Sequence, residues 1–319
     1  MKNIRSFFRN NLQEKVLDLP GYDSIQEKLS QIESKIDSLV LAQAAVERRR
    51  VRSLQPGTPL AECEFKVYSQ FGEDGILQHL VQHVPMAQYS FVEFGVEDFR
   101  EANCRYLLEA SPWHGLVLDG ARDIDIRIRE LPVSLLRNIT SRSVFVTAEN
   151  INSILEEEKF TGDIGVLSID IDGNDYWIWK AIEVAKPRIV IIEYNSVFGK
   201  DRAVTIPYDP AFNRRTAHFS WLYAGASLPA LVHLGEKKNY SFVGSNSAGN
   251  NAFFVRNDVK GKLKPLSVSE GYVESTFCES RDTLGNLSYL SGEDRLNIMK
   301  ELQLIDVISG KSIKVDELL

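Results

Sequence analysis

Cysteine is scarce in this 319-residue chain: Cys63, Cys104 and Cys278 are isolated in sequence. Three scattered cysteines exclude a disulfide framework and a cysteine-based zinc site, and they suit a reducing cytosol, so a cytoplasmic location is expected. Long apolar runs are also missing. Ile-Gly-Val-Leu-Ser-Ile (164–169) and Arg-Ile-Val-Ile-Ile (188–192) fall far short of the roughly 20 residues of a membrane-spanning helix. The start, Met1 to Lys15, has no uninterrupted apolar core and no small-residue cleavage site, so no secretory signal is expected. Positive charge is lacking too. The net charge is −7, and residues 1–52 carry ten Lys/Arg against seven Asp/Glu, which leaves 27 against 37 in the rest. An acidic body disfavours broad nucleic-acid binding, which depends on basic groups at phosphates.

What is present begins with a heptad seam. Ile25, Leu29, Ile32, Ile36, Leu39 and Val46 alternate steps of four and three once Gln43 fills its slot. This is the a/d pattern of a coiled coil over about residues 22–47, and it predicts self-association. Packing of one amphipathic helix on its own domain is the competing reading. Arg48, Arg49, Arg50 and Arg52 follow as a solvated face, and Ser53–Pro59 reads as a linker. Upstream, Ile4, Phe7 and Phe8 among Lys2, Arg5 and Arg9 could rest at an anionic membrane surface, a peripheral contact only. The expected organisation is a helical leader (1–60), a ligand-binding domain (61–260) and an extension (261–319).

The body has a repeating βα rhythm. Strand-like runs at 89–95, 115–120, 143–150, 163–172 and 187–195 end near Gly95, Asp119, Thr147, Asp170 and Glu193, at intervals of 24, 28, 23 and 23 residues. Helix-compatible stretches lie between them, which predicts a doubly wound, mostly parallel α/β sheet. Residues 123–130 alternate like a strand, yet the architecture requires a helix there. Beyond Glu193, residues 196–217 read as a long polar loop. A helix at 227–238 follows, then a hairpin of 239–244 with 251–257, so the seven-stranded sheet should end antiparallel. A mostly parallel sheet finished this way is similar to class I S-adenosylmethionine-dependent methyltransferases.

Ligands of open α/β sheets bind beyond the carboxyl ends of the strands. Glu93 and Gly95 stand at the first such end, where a lone glycine fails the GxGxxG dinucleotide fingerprint. Asp119, at the second, can accept hydrogen bonds from both ribose hydroxyls of an adenosyl ligand. Thr147 and Asn150 can edge the adenine, although Asn150 is also a natural helix cap. Asp170, Asp172, Glu193 and Asn195 close the next two strands as hard oxygen ligands for a Mg²⁺-like ion that would activate a substrate hydroxyl. Alternatively Asp170 meets the cofactor amino group while Asp172 and Asp175 cap a helix. Asp172, Glu193 and His218 are the candidate bases; a lone histidine such as His218 can equally be structural.

The residues also resemble a known group, the FkbM-like methyltransferases and relatives found with polysaccharide biosynthesis. The resemblance runs through Tyr68–Ile76, Val92–Gly95, Gly115–Gly120, Leu167–Tyr176, Ile192–Asn195, Tyr223–Ser227 and Gly244–Asn250. It implies S-adenosylmethionine around Glu93, Gly95, Asp119 and Asp170, and it brings Gln70, Glu73 and Asp74 toward the site. Many members carry Asp-x-Glu-Gly where this chain has Asp170-Ile-Asp-Gly173. The expected activity is O-methylation of a sugar hydroxyl on a glycan or nucleotide-sugar-type acceptor. The rivals are a non-catalytic assembly protein that organises a biosynthetic complex through the coil, and a nicotinamide-dependent oxidoreductase.

Overall fold

Apolar runs with no polar alternation can be strands only where both faces are covered, and that is how they fold. In the computed structural model, which describes residues 22–110, 112–129, 131 and 138–319, β1 (Ser90–Phe94) is buried along its whole length. It lies between β2 (His114–Asp119) and β4 (Val166–Ile169), parallel to both. The sheet continues through β3 (Ile139–Ser143) on one side. On the other it runs through β5 (Ile189–Glu193), β8 (Asn251–Arg256) and β7 (Tyr240–Ser245). The order is β3-β2-β1-β4-β5-β8-β7, with β8 antiparallel to both of its neighbours. A parallel sheet closed by an antiparallel hairpin is the strand arrangement expected above.

Side-chain parity divides the core in two. Val92, Phe94, Leu116, Leu118, Leu167, Ile169, Val190 and Ile192 enter one cluster, covered by the helices Ile151–Glu157, Asp175–Ala181 and Leu228–Lys237. Phe91, Val117, Val166, Ile189 and Ile191 enter the other, with Ile76, Leu77 and Leu80 of the helix Glu73–His83. Strands alternate faces with period two. Glu93, Asp119, Asp170 and Glu193 therefore all share the parity of the second face. The alternating segment near residue 125 is indeed helical, at Ile124–Arg129.

The third strand differs from expectation. It is Ile139–Ser143, not 143–150, because an edge strand needs only one covered face, and its own pattern is largely polar. The conspicuous Val144-Phe145-Val146 run follows the strand instead of forming it. The region read as a loop, 196–217, holds the short strand β6 (Val204–Thr205), which pairs with β9 (Gln303–Asp306) in a three-stranded sheet completed by β10 (Ser312–Lys314). Phe198, Val204, Ile206, Leu222, Met299, Leu304 and Val315 form the small core of that sheet, so the C-terminal residues are tied to the stretch after β5.

Among the described residues the leader holds the helix Tyr22–Arg52, and the chain divides into two units, Met1–Arg49 and Arg50–Leu319. Ile4, Phe7 and Phe8, the expected membrane contacts, lie outside the described residues. No helix among the described residues is long and apolar enough to cross a membrane.

Candidate active site

A cavity of about 1020 Å³ opens at the carboxyl ends of the parallel strands, and its lining includes Gln70, Glu93, Gly95, Asp119, Asp170, Asp172, Glu193 and Asn195. Strand parity and register account for much of this grouping. Ile169 pairs with Ile192, so one step further Asp170 and Glu193 are neighbours across the β4–β5 boundary.

Gly95 is left-handed at φ +72, and a Cβ there would stand 1.5 Å from the Asp170 carbonyl oxygen. Its missing side chain lets the loop after β1 cross the end of β4. Asp119 joins two loops: Oδ2 accepts from the Glu97 amide (2.8 Å) and Oδ1 from the Ala121 amide (2.7 Å). Each oxygen keeps a second lone pair for a ligand hydroxyl. Glu93 accepts from the amides of Asn103 (2.7 Å) and Cys104 (3.1 Å), and burial pushes its carboxyl up to about 7 against those bonds. Asn103 in turn donates to Ser168 Oγ at 3.1 Å.

Thr147 and Asn150 lie outside the cavity lining. Asn150 Oδ1 accepts from the Thr147 amide and its Nδ2 donates to the Phe145 carbonyl, so this pair shapes the turn before a helix. Phe145 lines the cavity in their place, with its ring beside Gly120. In the sequence Phe145 falls inside a strand-like run, 143–150, which hides its place in the cavity.

Asp170, Asp172 and Glu193 each bring one oxygen to within 4.8 Å of the others. Burial, then the neighbouring carboxylates, raises Asp170 well above the ordinary range. Burial also raises Glu193, with Asp172 and Asp175 adding to it and Arg214 opposing. Arg214 supplies the compensating charge. Its Nη1 donates to Asp172 Oδ1 at 2.6 Å and its Nε to the Trp221 carbonyl at 2.6 Å. Asp172 itself is left-handed, at φ +58. Asp175 accepts from the amides of Ile171 and Gly173, both at 2.9 Å, and so fixes the turn that carries the cluster. No spacing rule in the sequence links Arg214 to Asp172, 42 residues earlier; a positive partner for a buried carboxylate run was the only available signal.

The other expected residues divide. Asn195 is committed to the main chain: Nδ2 donates to Leu222 O and Ala224 O, both at 2.9 Å, and Oδ1 accepts from the Val197 amide at 3.0 Å. His218 does not line the cavity; its Nδ1 lies 2.7 Å from Ser220 Oγ. Glu73 accepts from Asn246 and Asn251 side chains, and Asp74 from the amides of Val67, Tyr68 and Ser69, so both shape the loop that carries Gln70. The C-terminal extension supplies part of the wall, through Ser275, Phe277, Glu279 and the buried Arg295, whose Nη2 donates to Glu274 at 2.8 Å.

No protein-family model matches the chain, and no curated protein does. Solved structures do. The glycopeptide N-methyltransferase MtfA, complexed with S-adenosylmethionine, aligns at 9% identity over 61% of this chain and 96% of its own, with a TM-score of 0.36. An O-methyltransferase family protein from Burkholderia thailandensis aligns at 11% identity over 76% of this chain and 59% of its own, with a TM-score of 0.34. PKMT2 from Rickettsia typhi aligns at 8% identity over 61% and 55%, with a TM-score of 0.36. Likeness this distant leaves the assignment to the strand order and the cavity themselves.

Proposed function

We propose that this chain is an S-adenosylmethionine-dependent O-methyltransferase acting on a sugar hydroxyl of a glycan or glycan precursor. The observation that carries the reading is the row of carboxylates Glu93, Asp119, Asp170 and Glu193 at successive strand ends of one cavity, in a sheet of order β3-β2-β1-β4-β5-β8-β7.

The residues fit the cofactor. Asp119 already has both oxygens oriented by main-chain amides, which leaves its outer lone pairs to accept two ribose hydroxyls. Phe145 offers a ring face for a base near the end of β3. The cavity exceeds a drug-sized pocket, roughly 300–1000 Å³, enough for a nucleoside and part of a second ligand. When bound, the cofactor supplies an electrophilic methyl group on a sulfonium sulfur.

The chain then has to place an oxygen in line with that methyl group and take its proton. Alignment supplies most of the rate gain. Glu193 is the base in this reading: its raised affinity for protons suits acceptance of a hydroxyl proton near neutral pH. The Glu193 carboxylate would accept the hydroxyl proton as that oxygen takes up the methyl group. Arg214 holds Asp172 and limits the negative charge around that carboxylate. Phe277, Ser275 and Arg295 supply acceptor contacts from the extension.

A divalent ion is a second reading, supported by the three oxygens within 4.8 Å. Asp170, Asp172 and Glu193 would hold it, and it would lower the pKa of a chelated hydroxyl. Asn195 Oδ1, which accepts only the Val197 amide, keeps one lone pair that could join them. The test is transfer of labelled methyl from S-adenosylmethionine to a panel of glycans and nucleotide sugars, with a chelator or with added Mg²⁺. Transfer to a sugar hydroxyl supports the proposal, and transfer to none of the panel argues for the assembly role. Full activity in chelator removes the ion.

A further inference from the structure

The seam of the Tyr22–Arg52 helix carries information about orientation as well as association. Ile25, Leu29, Ile32, Ile36, Leu39 and Val46 are 47–71% exposed, a continuous apolar stripe along a helix about 46 Å long. The steps place Leu29, Ile36 and Gln43 at a, and Ile25, Ile32, Leu39 and Val46 at d. The flanks follow from this register. Positions g are Lys28, Lys35, Ala42 and Arg49, while positions e are Gln26, Glu33, Val40 and Glu47. Every charged g residue is basic and every charged e residue is acidic.

That segregation distinguishes the two ways of pairing identical helices. In a parallel, in-register coil, g of one helix faces e of the next, which sets Lys28 against Glu33 in each direction. In an antiparallel coil about the centre of the seam g faces g and e faces e, which sets Lys35 against Lys35 and leaves Lys28 opposite Ala42 and Glu33 opposite Val40, with no ion pair. Gln43 points the same way. In register, its side-chain amide meets another Gln43 and can pair with it. Antiparallel about the centre of the seam, it faces the apolar end near Leu29, where a buried amide has no partner. We propose that this helix is the interface for further copies of the same chain, joined in a parallel, in-register coiled coil. Each protomer's body then emerges from the same end of the stalk. The core layers do not decide the number: Leu29 with Ile32 favours three or four strands, and Ile36 with Leu39 favours two.

The test uses the full chain. Sedimentation velocity should give a mass of two or more protomers that falls to one with Leu29→Asp and Ile36→Asp together, with the far-ultraviolet signal of the body retained. A monomeric wild type would overturn the proposal. Orientation is read by charge reversal. Lys28→Glu places glutamate against Glu33 in the parallel coil and should weaken association about fivefold, a change of the size that exposed ion pairs allow. Lys28→Glu with Glu33→Lys should restore it. In the antiparallel coil Lys28 faces Ala42, so the same single substitution would leave association unchanged, and unchanged or tighter association would overturn the parallel arrangement. Ile25→Cys, in a Cys278→Ser background, should form an intermolecular disulfide on mild oxidation. In the antiparallel pairing the two sulfurs stand roughly 30 Å apart and no cross-link forms, which would contradict the proposal.

Discussion

The two sides of the cavity hold their carboxylates by different means. On the β1–β2 side, main-chain amides do the work: Glu93 and Asp119 each accept two of them, from loops whose course is fixed by strand ends. On the β4–β5 side, side chains face side chains. Asp170, Asp172 and Glu193 crowd together, and one guanidinium, Arg214, balances them. An amide-bound carboxylate is rigid and keeps its shape whatever its neighbours titrate. A like-charge cluster changes state with pH and with anything cationic that enters. The first side suits a ligand that must be placed; the second suits a proton that must move.

The largest effect should come from the point where the two sides touch. Gly95→Ala drives a methyl group into the Asp170 carbonyl at a left-handed backbone position. It should cost more than about 3 kcal/mol of stability, visible as a lower Tm, because neither strand end can retreat without breaking its ladder. A variant as stable as the wild type would dismiss the claim that this contact locks the two sides together.

Next is the proton-accepting side. Glu193→Gln should lower kcat by about 100-fold or more while S-adenosylhomocysteine binds as before. Comparable loss of cofactor affinity would move Glu193 from the chemistry to the binding site. The pH dependence has a definite sign. The base works ionised, and its pKa is raised, so kcat/KM should climb as pH rises and level off above that raised value. Arg214→Met removes the group that opposes the raising and should move the climb to higher pH by about one unit. A profile that stays in place would show that Arg214 exerts no charge effect on the base. Smallest of all should be His218→Ala. Outside the cavity and bonded to Ser220, it should change kcat less than about threefold, whereas a general base would cost 100-fold or more.

How far the molecule could be read in advance follows the same division. β5 was legible because Ile189–Ile192 is an unbroken β-branched run and β1 because it is bulky and mostly apolar up to Gly95, and the strand-end carboxylates were legible because they stand at or beside the ends of such runs. β3 was misplaced by a few residues. Its Ile139-Thr-Ser-Arg-Ser143 is polar as edge strands often are, and the apolar run beside it serves the cavity. Arg214 and the wall formed by Ser275, Phe277 and Arg295 were not legible as site residues. They are held there by contacts between residues distant in the chain, such as the Ser275 amide on Ser196 Oγ and the Arg214 guanidinium on Asp172, and nothing local in sequence marks such an approach.

The central claim is that Asp119 and the β1–β2 side place an adenosyl cofactor. Calorimetric titration with S-adenosylhomocysteine, comparing wild type with Asp119→Ala, tests it most directly. The wild type should bind clearly and the variant should lose about 2 kcal/mol, some 30-fold, the size expected for hydrogen bonds to a charged acceptor. Equal affinity in the two proteins, or tight binding of NAD with none of S-adenosylhomocysteine, would contradict it.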